Sequence, residues 1–133
     1  MASGHKGGVA AEVVGWAERW LEWDKCEETR REVNDLLAAG DEAGLRSRLA
    51  GRISFGTAGL RGKMCAGFAF MNELTVTQAS QGLAVYLLNG SSADSAERGV
   101  VVGHDHRHHS LRFAQLTAAA LLSKGKRFVL HFT

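Results

Sequence analysis

"VVVGHDHRHHSLRFAQLTAAALLSKGKRFVLHF", residues 100–132, decides the fold class. It opens on an apolar run rich in β-branching, the mark of a buried strand. Ser110 stands where it would cap a helix from Leu111 to about Ser123, with Gly125 near its end. "RFVLHF" then reads as a second strand. Strand, helix and strand within roughly thirty residues form a βαβ unit, which needs a parallel sheet with helices over its faces. The predicted class is α/β.

Upstream, Asn89 to Gly99, "NGSSADSAERG", is a polar turn or loop. Before it, Thr75 and Gln78 are spaced as a capping box for a helix burying Val76, Ala79, Leu83, Tyr86 and Leu87. The first 50 residues read as a helical lead-in. Val13, Trp16, Trp20 and Trp23 fall on one helical face, and a tryptophan stripe of this kind means packing. Asp24 with Glu27 resembles a second helix start, with Val33, Leu36 and Leu37 on its buried side. Gly40 can end that helix and Asp41 cap a third, with Leu45 and Leu49 inward.

The 133 residues make about one domain, with the 45% hydrophobic and 23% charged content of a globular chain. The net charge of +2 gives no argument for nucleic acid, but its distribution is uneven. Residues 1–51 carry ten acids against seven Lys or Arg; residues 52–133 carry four against nine. An anionic ligand is therefore sought in the rear part. Cys26 and Cys65 form no C-x-x-C pair and read as reduced thiols. Glu12 interrupts a weakly apolar N-terminus, and no segment approaches a membrane span, so the expected location is the cytosol.

Two loops carry the candidate chemistry. "FGTAGLRGKMCAGF", residues 55–68, holds four glycines and two cations, and no acid lies between Arg52 and Glu73. Glycine lets backbone N–H groups wrap an anion, and arginine offers a planar fork matched to phosphate oxygens. The loop is not a Walker A motif, because Thr57 and Met64 stand where Gly and Ser or Thr are required. On composition alone it is either a phosphate site or a flexible turn. The second loop, "GHDHRHHS", puts His104, His106 and His108 on one face if extended, which suggests a metal. Exposed histidines filling a loop are the plain alternative, and no further ligand is nominated. Asp105 could orient the Arg107 guanidinium toward an anion.

Taken together, "FGTAGLRG", "MNELTVTQASQGLAVYLL" and "RGVVVGHDHRHHSLRFAQLTAAALLSKG" closely resemble the first domain of the α-D-phosphohexomutases. The lead-in, "WDKCEETRREVNDLLAAGDEAGLRSRLAGRIS", resembles the branch of phosphopentomutase-type phosphoglucomutases and glucose 1,6-bisphosphate synthase. The resemblance implies a four-domain enzyme, an intramolecular phosphotransferase acting on a hexose or pentose 1-phosphate. It implies a phosphoserine donor, Mg²⁺ beside it and a sugar bisphosphate primer. Carried onto this chain, it assigns Arg61 to the phosphoserine, Thr57, Gly59 and Lys63 to the phosphate-binding loop, and Asp105 and Arg107 to supporting it.

No serine here is followed by His-Asn, and no Asp-x-Asp-x-Asp metal loop occurs. The expectation is therefore a lead-in over 1–50 and a partial domain I over 51–133, stopping before the phosphoserine segment and holding no metal ligands. Its sheet would be incomplete within a three-layer domain, inviting self-association through an exposed strand edge. The chain alone is expected to be inactive, the alternative being a non-catalytic isoform or anion-binding module.

Overall fold

The computed structural model describes residues 5–6, 8–89, 98–124 and 129–130. Its contacts divide into two units, Met1–Thr75 and Val76–Thr133.

The first unit opens with a small antiparallel pair, β1 (His5–Lys6) and β2 (Val9–Ala10), in the register His5 to Ala10 and Lys6 to Val9. Three helices follow: α1 (Ala11–Trp23), α2 (Glu27–Ala39) and α3 (Glu42–Leu49). Val13, Ala17 and Trp20 of α1 are wholly buried, together with Val9, Val33 and Leu45; Leu49, Ala66 and Phe68 complete the core. The tryptophan stripe does pack, but unevenly. Ala17 takes the centre of the face, Trp16 is partly buried, and Trp23 is 45% exposed. Trp23 still meets Phe68 edge-on at 6.1 Å, and Trp20 does so at 5.1 Å.

The α2–α3 junction forms as its sequence predicts. Gly40 adopts a left-handed conformation, and the Gly40 and Asp41 N–H groups donate to Leu37 O and Leu36 O, a Schellman closure. Asp41 caps α3 by accepting the Gly44 N–H at 2.9 Å. At the start of α2, by contrast, Cys26 occupies the cap position and Asp24 does not. Asp24 is buried, and its carboxylate accepts from the Cys26 N–H and the Thr29 hydroxyl. That is an Asx turn linking α1 to α2.

In the second unit, β5 (Val101–Val102), α5 (Ser110–Leu122) and β6 (Val129–Leu130) form the βαβ unit, and the two strands pair in parallel. The class is α/β. Among the described residues the other strand pairs are short and antiparallel. Helix α4 (Glu73–Asn89) buries Val76 and, in part, Leu87 as predicted, but Ser80 and Ala84 take the inward positions expected of Leu83 and Tyr86, which are 41% and 64% exposed. The small residues face inward because α5 comes close. Ser80 Oγ donates to Thr117 Oγ1 at 2.9 Å, and Ala84 packs with Val102, Ala114 and Leu121.

Ser110 is the first residue of α5, not its cap, which is His109 in a left-handed conformation. The Ser110 hydroxyl instead accepts the Asp105 N–H at 3.0 Å. Of the polar loop at 89–99, residues 90–97 lie outside the described residues. So do Gly125 and all of "RFVLHF" except Val129 and Leu130.

Candidate functional site

The glycine loop is a hairpin on the first unit. Strands β3 (Phe55–Gly56) and β4 (Gly59–Leu60) pair antiparallel, Phe55 opposite Leu60, with Thr57 and Ala58 at the turn. Gly59 sits at φ +95°, a conformation that admits glycine and few others. Arg61 and Lys63 follow the hairpin, both exposed. No ion pair among the described residues uses either of them. Thr57 is exposed on the same turn.

The exposed hairpin stands on a tightly bonded base. Ile53 N–H donates to Phe68 O (2.7 Å), Met71 N–H to Lys63 O (2.9 Å) and Ala69 N–H to Arg48 O (3.0 Å). Glu32 of α2 reaches in from far along the chain. One carboxylate oxygen accepts the Ala66 N–H at 2.8 Å, and the other accepts Arg48 Nε at 3.1 Å. Arg52 lies over the Phe68 ring at 5.4 Å. Burial and the Glu32 charge together push the half-buried Cys65 thiol above its ordinary range.

At the loop's outgoing end, the predicted Thr75–Gln78 capping box is replaced by one three residues earlier. Asn72 Oδ1 accepts the Thr75 N–H at 2.9 Å, and Thr75 Oγ1 accepts the Asn72 N–H at 3.1 Å. Thr75 is therefore the third helical residue, not the cap. Sequence reasoning passed over both Glu32 and Asn72. An asparagine two residues before a leucine-containing helix run was the signal available for the second.

On the second unit, Asp105 and Arg107 are joined. Asp105 Oδ1 accepts the Arg107 N–H at 3.0 Å and Oδ2 accepts Arg107 Nε at 2.6 Å. Arg107 is 83% exposed, so its remaining donors face water. A shallow open pocket of about 460 Å³ lies here, lined by His104, Asp105, His106, Arg107, His109 and Arg112 among others. The loop turns at 106–109 and is not extended. His108 packs on His109 (3.8 Å), and His109 stacks on Phe113 (5.8 Å). Among the described residues no group of three or more His, Cys, Asp or Glu gathers to hold a metal ion.

The Arg107 N–H and then its guanidinium hold the Asp105 carboxyl below its ordinary value of 3.8. A depressed folded value contributes stability above the ordinary range and loses it as pH falls through the folded value. The carboxyl carbon of Asp105 is therefore expected to titrate below 3.8 by NMR, with the Arg107 Nε–H signal moving alongside it. In Arg107→Gln the titration should shift upward; an unmoved midpoint would show that the pair does not form in solution.

The loop on the first unit offers cations and backbone donors without a carboxylate, which is chemistry for holding an anion. The chain belongs to the phosphoglucomutase/phosphomannomutase family: residues 52–131 match that family's alpha/beta/alpha domain I. It is 54% identical over 108 residues to a probable phosphoribomutase of Schizosaccharomyces pombe, covering 81% of this chain and 18% of that protein. It is 47% identical to the mouse glucose 1,6-bisphosphate synthase, covering 80% of this chain and 18% of that one. With the mouse phosphopentomutase it shares 40% identity, covering 89% of this chain and 20% of the other. The chain thus spans about a fifth of the length of these relatives. No solved structure gives a significant match. Among the described residues, no helix is long and apolar enough to cross a membrane.

Proposed function

We propose that residues 51–133 are the leading part of domain I of a cytosolic phosphosugar mutase, preceded by a helical lead-in over residues 1–50. Its Arg61 would face the phosphoryl group in transfer. The observation that carries this reading is the hairpin: two exposed cations, unused by the described ion pairs, on a glycine turn with a bonded base. The family match over residues 52–131 and relatives named as phosphoribomutase, phosphopentomutase and glucose 1,6-bisphosphate synthase support it.

In phosphoryl transfer, negative charge spreads over the moving oxygens, and fixed cations lower the barrier electrostatically. Arg61 supplies the planar fork, Lys63 a second charge, and Thr57 and Gly59 set the turn between the strands. Asp105 and Arg107 support the same chemistry as an oriented guanidinium. The substrate would be a hexose or pentose 1-phosphate, turned over through a bisphosphate with a sugar bisphosphate as primer. Mg²⁺ and a phosphoserine belong to this reading through the family. The described residues gather no ligand set for the ion, so no step on this chain is routed through it.

A second reading, a non-catalytic anion-binding module, is favoured for the isolated chain by one sequence fact. No serine is followed by His-Asn. Both readings meet in one experiment: phosphoglucomutase and phosphopentomutase assays on the purified chain, with Mg²⁺ and a sugar bisphosphate, beside Arg61→Ala. The expected result is no turnover by either protein. Turnover that disappears in Arg61→Ala would mean that another residue here carries the phosphoryl group, and the assignment would be wrong.

A further inference from the structure

We infer that Asn72 is a positioning residue for the anion contact made by Arg61 and Lys63, an inference that rests on the phosphate-facing reading of the hairpin. Asn72 is 3% exposed and lies where the loop becomes helix α4. Its amide nitrogen donates to Gly67 O (2.8 Å) and Cys65 O (2.9 Å), with Phe70 O at 3.4 Å. Its amide oxygen accepts the Thr75 N–H, and the Thr75 hydroxyl donates to Phe70 O at 2.8 Å. One side chain thus ties the outgoing limb of the loop to the first turn of a 17-residue helix.

The connection to the cations is short. Cys65 is two residues past Lys63, and Lys63 O accepts the N–H of Met71, the residue preceding Asn72. The loop tip has few buried side chains to hold it: Thr57, Ala58, Arg61, Gly62 and Lys63 are all exposed. Its position is set by the backbone bonds at its base and by the two bonds that the Asn72 side-chain amide donates to the Cys65 and Gly67 carbonyls.

The choice of residue supports the inference. A helix cap alone is served equally by serine or aspartate. Only an amide offers an acceptor to the helix and two hydrogens to loop carbonyls at once. Those carbonyls and the Thr75 N–H also fix which way the amide points.

Asn72→Asp separates the two duties, because it keeps the acceptor for Thr75 and removes both loop donors. Asn72→Ser keeps a cap oxygen without charge and leaves at most one hydroxyl hydrogen in place of the two amide hydrogens, should the aspartate not fold. The full chain would be titrated with inorganic phosphate by NMR beside Arg61→Ala, and amide hydrogen exchange would be followed in parallel. The expected result is phosphate binding weakened at least tenfold, with exchange at the Ala66 and Met71 amides at least tenfold faster. The Val33 and Leu45 amides, in the helical core, should be unchanged.

Phosphate affinity that stays at the wild-type value in both Asn72 variants, while Arg61→Ala weakens it, overturns the positioning role and leaves the reading of Arg61 standing. A uniform rise in exchange across core and loop, with affinity kept, makes Asn72 merely structural and overturns the inference too. Binding that survives Arg61→Ala, or wild type that does not bind phosphate, overturns the reading of the hairpin and this inference with it.

Discussion

Gly67→Ala is expected to destabilise the N-terminal unit by about 3–5 kcal/mol, the sum of an unfavourable backbone conformation and an overpacked contact. Gly67 sits at φ +115°, and an added Cβ would lie 2.3 Å from Arg48 O and 2.5 Å from Arg48 Cβ. Arg48 cannot easily retreat. Its carbonyl accepts the Ala69 N–H, and its guanidinium donates to Glu32 and to Gly44 O. Relief would come from moving the loop, which would break the bonds beneath Arg61. For a unit of this size each kcal/mol lowers the melting temperature by roughly 4–8 °C, so a fall of at least about 12 °C is expected in a thermal melt. A loss below about 1 kcal/mol would show that the loop and α3 are not in contact as described.

The second large effect is at Trp20, wholly buried at the centre of the helical core and edge-on to Phe68. Trp20→Ala should cost about 3–5 kcal/mol, the usual range for emptying a large aromatic site. Trp20→Phe should cost much less, about 1 kcal/mol, for a specific reason. The indole Nε1 is buried with no hydrogen-bond acceptor among the described residues. Phenylalanine removes that unsatisfied donor along with some packing, and the two effects oppose each other. Denaturant midpoints of the two variants decide the matter. Equal losses would mean that the indole N–H has found a partner in solution and that its removal gives nothing back.

Much of the architecture was legible because its causes are local. The β-branched run before Gly103, the helix after it and the spacing to Val129 and Leu130 gave the βαβ unit, and β5 and β6 do pair in parallel. Gly40 and Asp41 close one helix and open the next through bonds spanning three to five residues. Where two capping residues compete within one turn, the sequence is ambiguous. Asn72 and Thr75 can each cap, and Asn72 holds the position because its amide also serves Cys65 and Gly67. Ser110 lost its expected place for a similar reason, since its hydroxyl accepts the Asp105 N–H.

Helical faces were read less well. Helix α4 carries apolar residues on more than one side, so periodicity does not select a face. Close approach of α5 selects the small one, Ser80 and Ala84, and leaves Leu83 and Tyr86 outside. In α1 the buried line runs through Val13, Ala17 and Trp20, so Trp16 and Trp23 lie at its edges.

By itself, the sequence determined the α/β class, the helices of the first 50 residues, the excess of cations behind residue 51 and the absence of acid around Arg61. Those are properties of composition and of short spacings, which a linear text contains. Tertiary structure alone decided what holds the hairpin. Glu32 meets Ala66 across 34 residues, and Gly67 is forced to be glycine by the Arg48 carbonyl. Such partners are matched by shape and by the cost of leaving a buried polar group unpaired, and neither leaves a pattern along the chain.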